Sequence, residues 1–210
     1  MKGIVVSLFD CSGIMLRPWA DAGYECWAVD IQNAHDVESN PRMVSADLSM
    51  PWLPPFCRDR IVFVSAFPPC THLAVSGARW MRGKGLRKLA ESISMFATAA
   101  EFCEWSEAPY MIENPVSTIA THWRSPDHYF HPYYFTGYRE RDNYTKKTCL
   151  WTGGGFVMPE KFMDNDLGSP DDRIHKCPPS LFRGDQRSLT PEGFAIATFN
   201  ANQGVAQCAT

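Results

Sequence analysis

At 210 residues, with 45% hydrophobic and 20% charged side chains, the chain has the size and composition of one well-buried globular domain. Its formal net charge of −3 excludes polyanion binding by bulk electrostatics, so any nucleic-acid surface must be local. No run reaches the roughly 18 apolar residues that a membrane span needs, and Met1 to Phe9 leads straight into a strand without a signal-peptide cleavage pattern.

Taken in chain order, the first two-thirds alternates strand-like and helix-like segments. Ile4 to Phe9 reads as a strand, Gly13 to Ala22 as a helix reaching Gly23, and Glu25 to Asp30 as a second strand ending in an acid. Met43 to Asp47 is a short third strand. Arg60 to Ala66 is a continuous apolar fourth strand that closes on Phe67-Pro68-Pro69-Cys70. Leu86 to Ser106 is the clearest helix, with Leu89, Ile93, Phe96, Ala97, Ala100 and Cys103 along one face. Pro109 to Glu113 is a fifth strand, again ending in an acid. Beyond about residue 120 the pattern weakens into aromatic and proline-rich sequence, with Thr148 to Trp151 as one late strand. This rhythm predicts an α/β domain with a doubly wound, mostly parallel sheet, spanning 1–210 without repeats or linkers. The cysteines, at positions 11, 26, 57, 70, 103, 149, 177 and 208, are scattered singly. They predict reduced thiols in a cytoplasmic setting rather than disulfides.

Cys70 carries the most information. Two prolines before it stiffen the loop at a strand's carboxyl end, where ligands bind in open α/β sheets, and hold the thiol as a nucleophile needs. A buried, inert thiol is the alternative. Phe9-Asp10-Cys11-Ser12-Gly13 is a small-residue turn that brings backbone N–H groups close to a ligand. Asp30 is placed to accept from ribose hydroxyls and Asp47 from an adenine amino group, loop capping being the other use of both. Glu113, in Met111-Ile112-Glu113-Asn114-Pro115, sets a carboxyl near the thiol for general-acid chemistry, unless Glu-Asn-Pro is only a turn. His72 is assigned to the substrate loop or to packing. Cys149, His175 and Cys177 lack a paired knuckle, so no metal is expected. Tyr129-Phe130-His131-Pro132-Tyr133-Tyr134-Phe135 is assigned to core or interface packing rather than to base stacking. The basic clusters Arg79 to Lys88 and Arg139 to Lys147 read first as solvated faces.

In order along nearly the whole chain, these motifs resemble those of the S-adenosylmethionine-dependent DNA (cytosine-5) methyltransferases. Ser7 to Gly13 with Ala22-Gly23-Tyr24 looks like the family's cofactor loop, and Val29-Asp30 and Ala46-Asp47 match its ribose and adenine acids. Phe67-Pro68-Pro69-Cys70 is similar to its nucleophile motif and Ile112-Glu113-Asn114-Pro115 to its Glu-Asn-Val. Tyr144 to Trp151 sits where the family has Gln-x-Arg-x-Arg. Arg187-Ser188-Leu189-Thr190-Pro191 looks like its Arg-x-Leu-Thr-Pro, and Asn202-Gln203-Gly204-Val205 loosely matches its closing segment.

The resemblance implies a Rossmann-like class I methyltransferase that methylates cytosine at C5 in single- or double-stranded DNA. Cys70 would be the nucleophile, with Glu113 and Lys146 as its catalytic companions. S-adenosylmethionine, leaving as S-adenosylhomocysteine, would be held by Phe9, Asp10, Cys11, Ser12, Gly13, Asp30, Ile31, Asp47, Pro68 and Asn202. The implied setting is the cytoplasm of a bacterium or phage-infected host, with no membrane partner. The chain departs from the family where Cys11 replaces a glycine, where Thr71-His72-Leu73-Ala74 follows the nucleophile, and where Lys146 and Lys147 replace arginines. Between Trp151 and Arg187 it is too short for a target-recognition domain, as in compact phage and prophage relatives. The segment 152–186 is therefore expected to pack as a loop beside the cleft. A free cytidine nucleotide substrate, a catalytically inactive homologue that binds cofactor or nucleic acid, and transfer of a different group to the same carbon stay open.

Overall fold

A computed structural model describes residues 2–75, 83, 85–176 and 187–204. Its strands are β1 (Ile4–Leu8), β2 (Glu25–Asp30), β3 (Arg42–Ser45), β4 (Ile61–Ala66), β5 (Tyr110–Pro115), β6 (His128–Phe130) and β7 (Thr148–Gly153). The helices are α1 (Arg17–Asp21), α2 (Leu86–Ser106), α3 (Ile119–His122), α4 (Arg173–Lys176) and α5 (Glu192–Asn202). One seven-stranded sheet runs in the order β3-β2-β1-β4-β5-β7-β6. The first five strands pair in parallel, and β7 is antiparallel to both of its neighbours. The fold is therefore α/β with a mixed, mostly parallel sheet. No helix among the described residues is long and apolar enough to cross a membrane.

The sheet is covered on both faces, which is why β1 has no polar face to show: every residue of Ile4-Val5-Val6-Ser7-Leu8 is buried. Ile4, Val6 and Leu8 pack with Val64, Ile112, Phe96 and Phe102 on the α2 face. Val5 joins Trp19, Phe63 and Phe194 on the face covered by α1 and α5. Trp19 anchors that second face, stacked on Phe63 at 4.9 Å and edge-on to Tyr24 and Phe199 at 5.1 Å each.

Sequence patterning misses β6 and α5. Three residues are too few for a periodic signal, and α5 (Glu-Gly-Phe-Ala-Ile-Ala-Thr-Phe-Asn-Ala-Asn) is apolar around much of its circumference. The helix expected over Gly13 to Ala22 is split into a 3-10 turn at Ile14–Leu16 and the short α1, with Pro18 at its start. The turn after β7 depends on Gly154, at φ +60°, where a Cβ would overlap the Ala108 carbonyl. Gly154→Ala is expected to cost at least about 1–3 kcal/mol, the scale of one forced backbone position. A urea titration should show the lower midpoint.

Candidate active site

The topology decides which loops meet. Strand order reverses at β1, with β2 on one side and β4 on the other. At such a switch point a crevice opens outside the strands' carboxyl ends. The loop after β1 and the loop after β4 therefore face each other, tied by the Phe67 N–H to the Leu8 carbonyl at 3.0 Å.

The first loop is rigid for local reasons. Asp10 is buried and accepts from the Ser7 hydroxyl at 2.8 Å, the Ser12 N–H and hydroxyl at 2.9 Å each, and the Gly13 N–H at 2.7 Å. Ser65 Oγ donates to Ser7 Oγ at 3.0 Å, so a buried hydroxyl chain joins β4 to this carboxylate. Asp10 thus shapes the turn that exposes Cys11. Phe9 holds φ +55° without being glycine, a strained position at the strand's end.

Asp30 and Asp47 both cap their own loops, accepting from the N–H two residues on: Gln32 at 2.8 Å and Ser49 at 2.9 Å. Their environments differ. Burial pushes the Asp30 carboxyl above the usual range, against the hydrogen bond from Gln32. Asp47 is exposed, and the Ser49 N–H holds it below that range. Beside Asp30, the aliphatic side chain of Ile31 is 63% exposed. None of the expected cofactor residues lines the cavity of about 190 Å³ whose walls run from Leu8 and Leu48 along Trp52 to Phe102 and Trp105 of α2. Asn33 was not singled out in the sequence. Its buried amide donates to the carbonyls of Ala28 at 2.9 Å, Asp10 at 3.2 Å and Val44 at 3.4 Å, lacing the ends of β1, β2 and β3 together.

The second loop carries the thiol. Pro68 is buried, and its carbonyl accepts from Asn114 Nδ2 at 2.8 Å. Past Cys70 the chain is held to the segment after β5 by Val75 N–H to Val116 O and Thr118 N–H to Leu73 O, each 3.0 Å. Asn114 is therefore a positioning residue for the Cys70 loop, signalled in sequence only by its place after Glu113. Glu113 Oε1 lies 3.7 Å from Lys146 Nζ, with only 11% and 13% of the two side chains exposed, so solvent screens this pair little. Burial pushes the Cys70 thiol above its ordinary value, and the Glu113 carboxylate adds to the shift. Lys146 and Arg187 oppose it. Cys70, Glu113 and Lys146 are thus brought within electrostatic reach of one another from the ends of β4 and β5 and the approach to β7. Arg187 joins them; its Arg-x-Leu-Thr-Pro motif was its only sequence signal.

Asn202 is not brought to this edge. The α5 helix, about 16 Å long, runs against the parallel strands. Its first turn meets Asp142, which accepts the Gly193 N–H at 2.7 Å, while its last residue lies at the opposite sheet edge. There Asn202 exchanges hydrogen bonds with the Val157 N–H and carbonyl at 2.9 Å each, and donates to Thr198 O at 2.9 Å. Its amide is spent on folding.

The basic clusters also divide. Arg79, Arg82 and Lys84 lie outside the described residues, and Lys88 pairs with Glu91 at 2.8 Å. In the other cluster, Arg139 and Arg141 meet Glu192 together with Arg17, whereas Lys146 turns to Glu113. Of the 152–186 segment, residues 177–186 lie outside the described residues, as does Cys177. The rest is largely irregular and returns beside Tyr144 and Thr145, where Thr145 N–H donates to Asp171 O at 2.8 Å. This contact is one residue from Lys146. No protein-family model and no curated protein matches the chain.

Proposed function

We propose that this protein is a Rossmann-like class I methyltransferase that transfers a methyl group from S-adenosylmethionine to C5 of cytosine in DNA. The observation that carries the reading is the meeting of Cys70, Glu113 and Lys146 at one sheet edge, each from a motif that resembles the cytosine-5 family. The cofactor residues fit an adenosine-containing group. Asp30 is a buried carboxylate whose hydrogen bonds come from Gln32 alone, with lone pairs left to accept ribose hydroxyls. Ile31 presents an apolar surface beside it.

In this reading S-adenosylmethionine, when bound, supplies the methyl group that C5 takes. The protein's own residues prepare C5. The Cys70 thiolate forms a bond to C6, and the electron pair of the C5–C6 double bond moves toward C5, which becomes enamine-like. Glu113 hydrogen-bonds N3 and the exocyclic amine, stabilising the charge that develops on the ring. Lys146, held at Glu113, keeps a positive charge over both groups. A base, for which solvent water suffices, then takes the C5 proton; that electron pair reforms the C5–C6 double bond and the Cys70 sulfur leaves C6 as thiolate, restoring the aromatic ring. A base within a duplex cannot reach such a pocket, so a polymer substrate presents its cytosine unstacked.

Side-by-side assays of labelled methyl transfer to duplex DNA, single-stranded DNA, RNA and dCMP test the proposal. Transfer to DNA with 5-methylcytosine as product is expected. Transfer to dCMP alone would move the substrate to a free nucleotide, and cofactor binding without transfer to any of the four would overturn catalysis. Asp30→Ala is expected to weaken S-adenosylmethionine binding by roughly tenfold or more, the loss of one hydrogen-bonded charged partner, which calorimetry reads directly.

A further inference from the structure

Two exposed aromatic rings stand at the β6–β7 border of the sheet, each accompanied by a cation. Tyr129 is 50% exposed, with Lys147 Nζ 4.9 Å from its ring centroid. Trp123 is 41% exposed, with the Arg124 guanidinium 4.5 Å from its ring. Both rings belong to the α2 face. Tyr129 is in register with Cys149, which packs with Trp151 on that face. Phe96 of α2 meets Trp123 and Trp151 edge-on at 5.8 and 5.2 Å.

Two adjacent lysines just ahead of β7 do different work. Lys146 turns to Glu113 and Lys147 turns to Tyr129. Tyr129, Cys149 and Asn114 also form one lateral row across β6, β7 and β5. That row spans two strand spacings, about 10 Å, and ends on the amide that holds Pro68. Tyr129 thus shares a row with the anchor of the Cys70 loop, two strands away.

Resting on the cytosine reading above, we infer that Tyr129 and Lys147, with Trp123 as the next platform, bind single-stranded nucleic acid leaving the Cys70 cleft across the β6 edge. Bases stack on the rings, and the Lys147 ammonium takes a backbone phosphate. Stacking asks for no particular base, which suits a chain with little room for a base-reading domain. An exposed cation–π contact is weaker than a stacked base, so the exchange of Lys147 from ring to phosphate favours the nucleotide. Among the described residues no carboxylate lies within ion-pair distance of Lys147. Arg124 differs: it is bound to Asp127 at 2.6 Å and to the Thr152 carbonyl at 3.1 Å, so it supports the Trp123 ring and leaves the phosphate to Lys147. Paired bases keep their faces inside the duplex stack, so the partner is single-stranded.

Fluorescence anisotropy with a labelled oligonucleotide of about 12 nucleotides, without cofactor, tests this surface. Tyr129→Leu is expected to lose roughly tenfold in affinity for the single strand, while Tyr129→Phe keeps it. Lys147→Gln should lower the slope of log affinity against log salt by about 0.7, one phosphate contact on a single strand. DNA and RNA arms show which backbone is preferred, and a duplex of the same sequence should bind more weakly and be indifferent to Tyr129→Leu. Wild-type affinity in Tyr129→Leu, equal losses in the Phe and Leu variants, or no single-strand binding by the wild-type protein would each overturn the inference. Tyr129-dependent binding without methyl transfer would remove the cytosine reading and leave this surface standing. Transfer to DNA with unchanged binding in Tyr129→Leu would remove the surface alone.

Discussion

Cys70→Ala is expected to abolish methyl transfer, by at least about 10⁴-fold, the scale on which removing a covalent nucleophile acts. Without the thiol no bond forms at C6, and C5 of cytosine is too weak a nucleophile to take the methyl group. Cofactor affinity should stay nearly intact. The residues expected to hold adenosine sit at the ends of β1, β2 and β3, while Cys70 lies beyond two prolines on the loop after β4. Cys70 is partly exposed and anchored through its backbone, with its carbonyl accepting from the N–H groups of Leu73 and Ala74 at 2.9 Å each. Alanine therefore preserves the fold. Labelled-methyl transfer gives the activity and calorimetry the cofactor affinity. Turnover at the wild-type rate in this variant would remove Cys70 from the mechanism.

Glu113→Gln carries the second largest expected effect, a fall in turnover of about 10²- to 10⁴-fold, typical of losing a positioned acid–base group. It also makes a prediction about the thiol that needs no substrate. Burial and Glu113 raise the Cys70 thiol above its ordinary value of 9.0, so at neutral pH the free protein holds Cys70 protonated. Alkylation by iodoacetamide should then accelerate as pH rises through the thiol's pKa. Removing the Glu113 charge lowers that pKa and should shift the profile to lower pH. Removing the opposing charge with Lys146→Gln should shift it to higher pH. Mass spectrometry localises the adduct, with Cys149, pushed up to about 11 by burial, as a slow internal control. Shifts in the same direction would show that Glu113 and Lys146 do not both act on the thiol. In catalysis the same balance means that the thiolate must be favoured once substrate binds, which the neighbouring cations Lys146 and Arg187 do by charge while the thiol proton leaves to solvent.

Asx capping illustrates how functional and structural uses coexist. Asp10, Asp30 and Asp47 each accept an N–H two residues on, so the capping role is present at all three. Only Asp30 combines it with burial and hydrogen bonds from a single residue, Gln32, which leaves a carboxylate at the crevice with capacity to spare. Asp10, with four hydrogen bonds from its own loop and strand, is saturated. Sequence gives the three acids similar positions after strands. Their different hydrogen-bond counts distinguish them.

By itself the sequence determined the α/β class and most of the parallel strands, because each is a short apolar run ended by a small, proline or acidic residue. It also placed Cys70 just past a strand's end, since local punctuation marks where a strand stops. Glu113, expected to end β5, lies two residues inside it because pairing with β7 carries the strand on to Pro115. The tertiary structure alone decided what those ends face. Strand order is a long-range property, and only the reversal at β1 sets the Phe9 to Gly13 loop against the Pro68-Pro69-Cys70 loop. Only the antiparallel insertion of β7 brings Lys146 onto Glu113 and sends Lys147 to Tyr129, a ring assigned from sequence to packing. The direction of α5 likewise carries Asn202 away from the edge where its motif was expected. Pairing across a sheet joins residues dozens of positions apart, and no local pattern of hydrophobicity or propensity encodes which strand will be the neighbour.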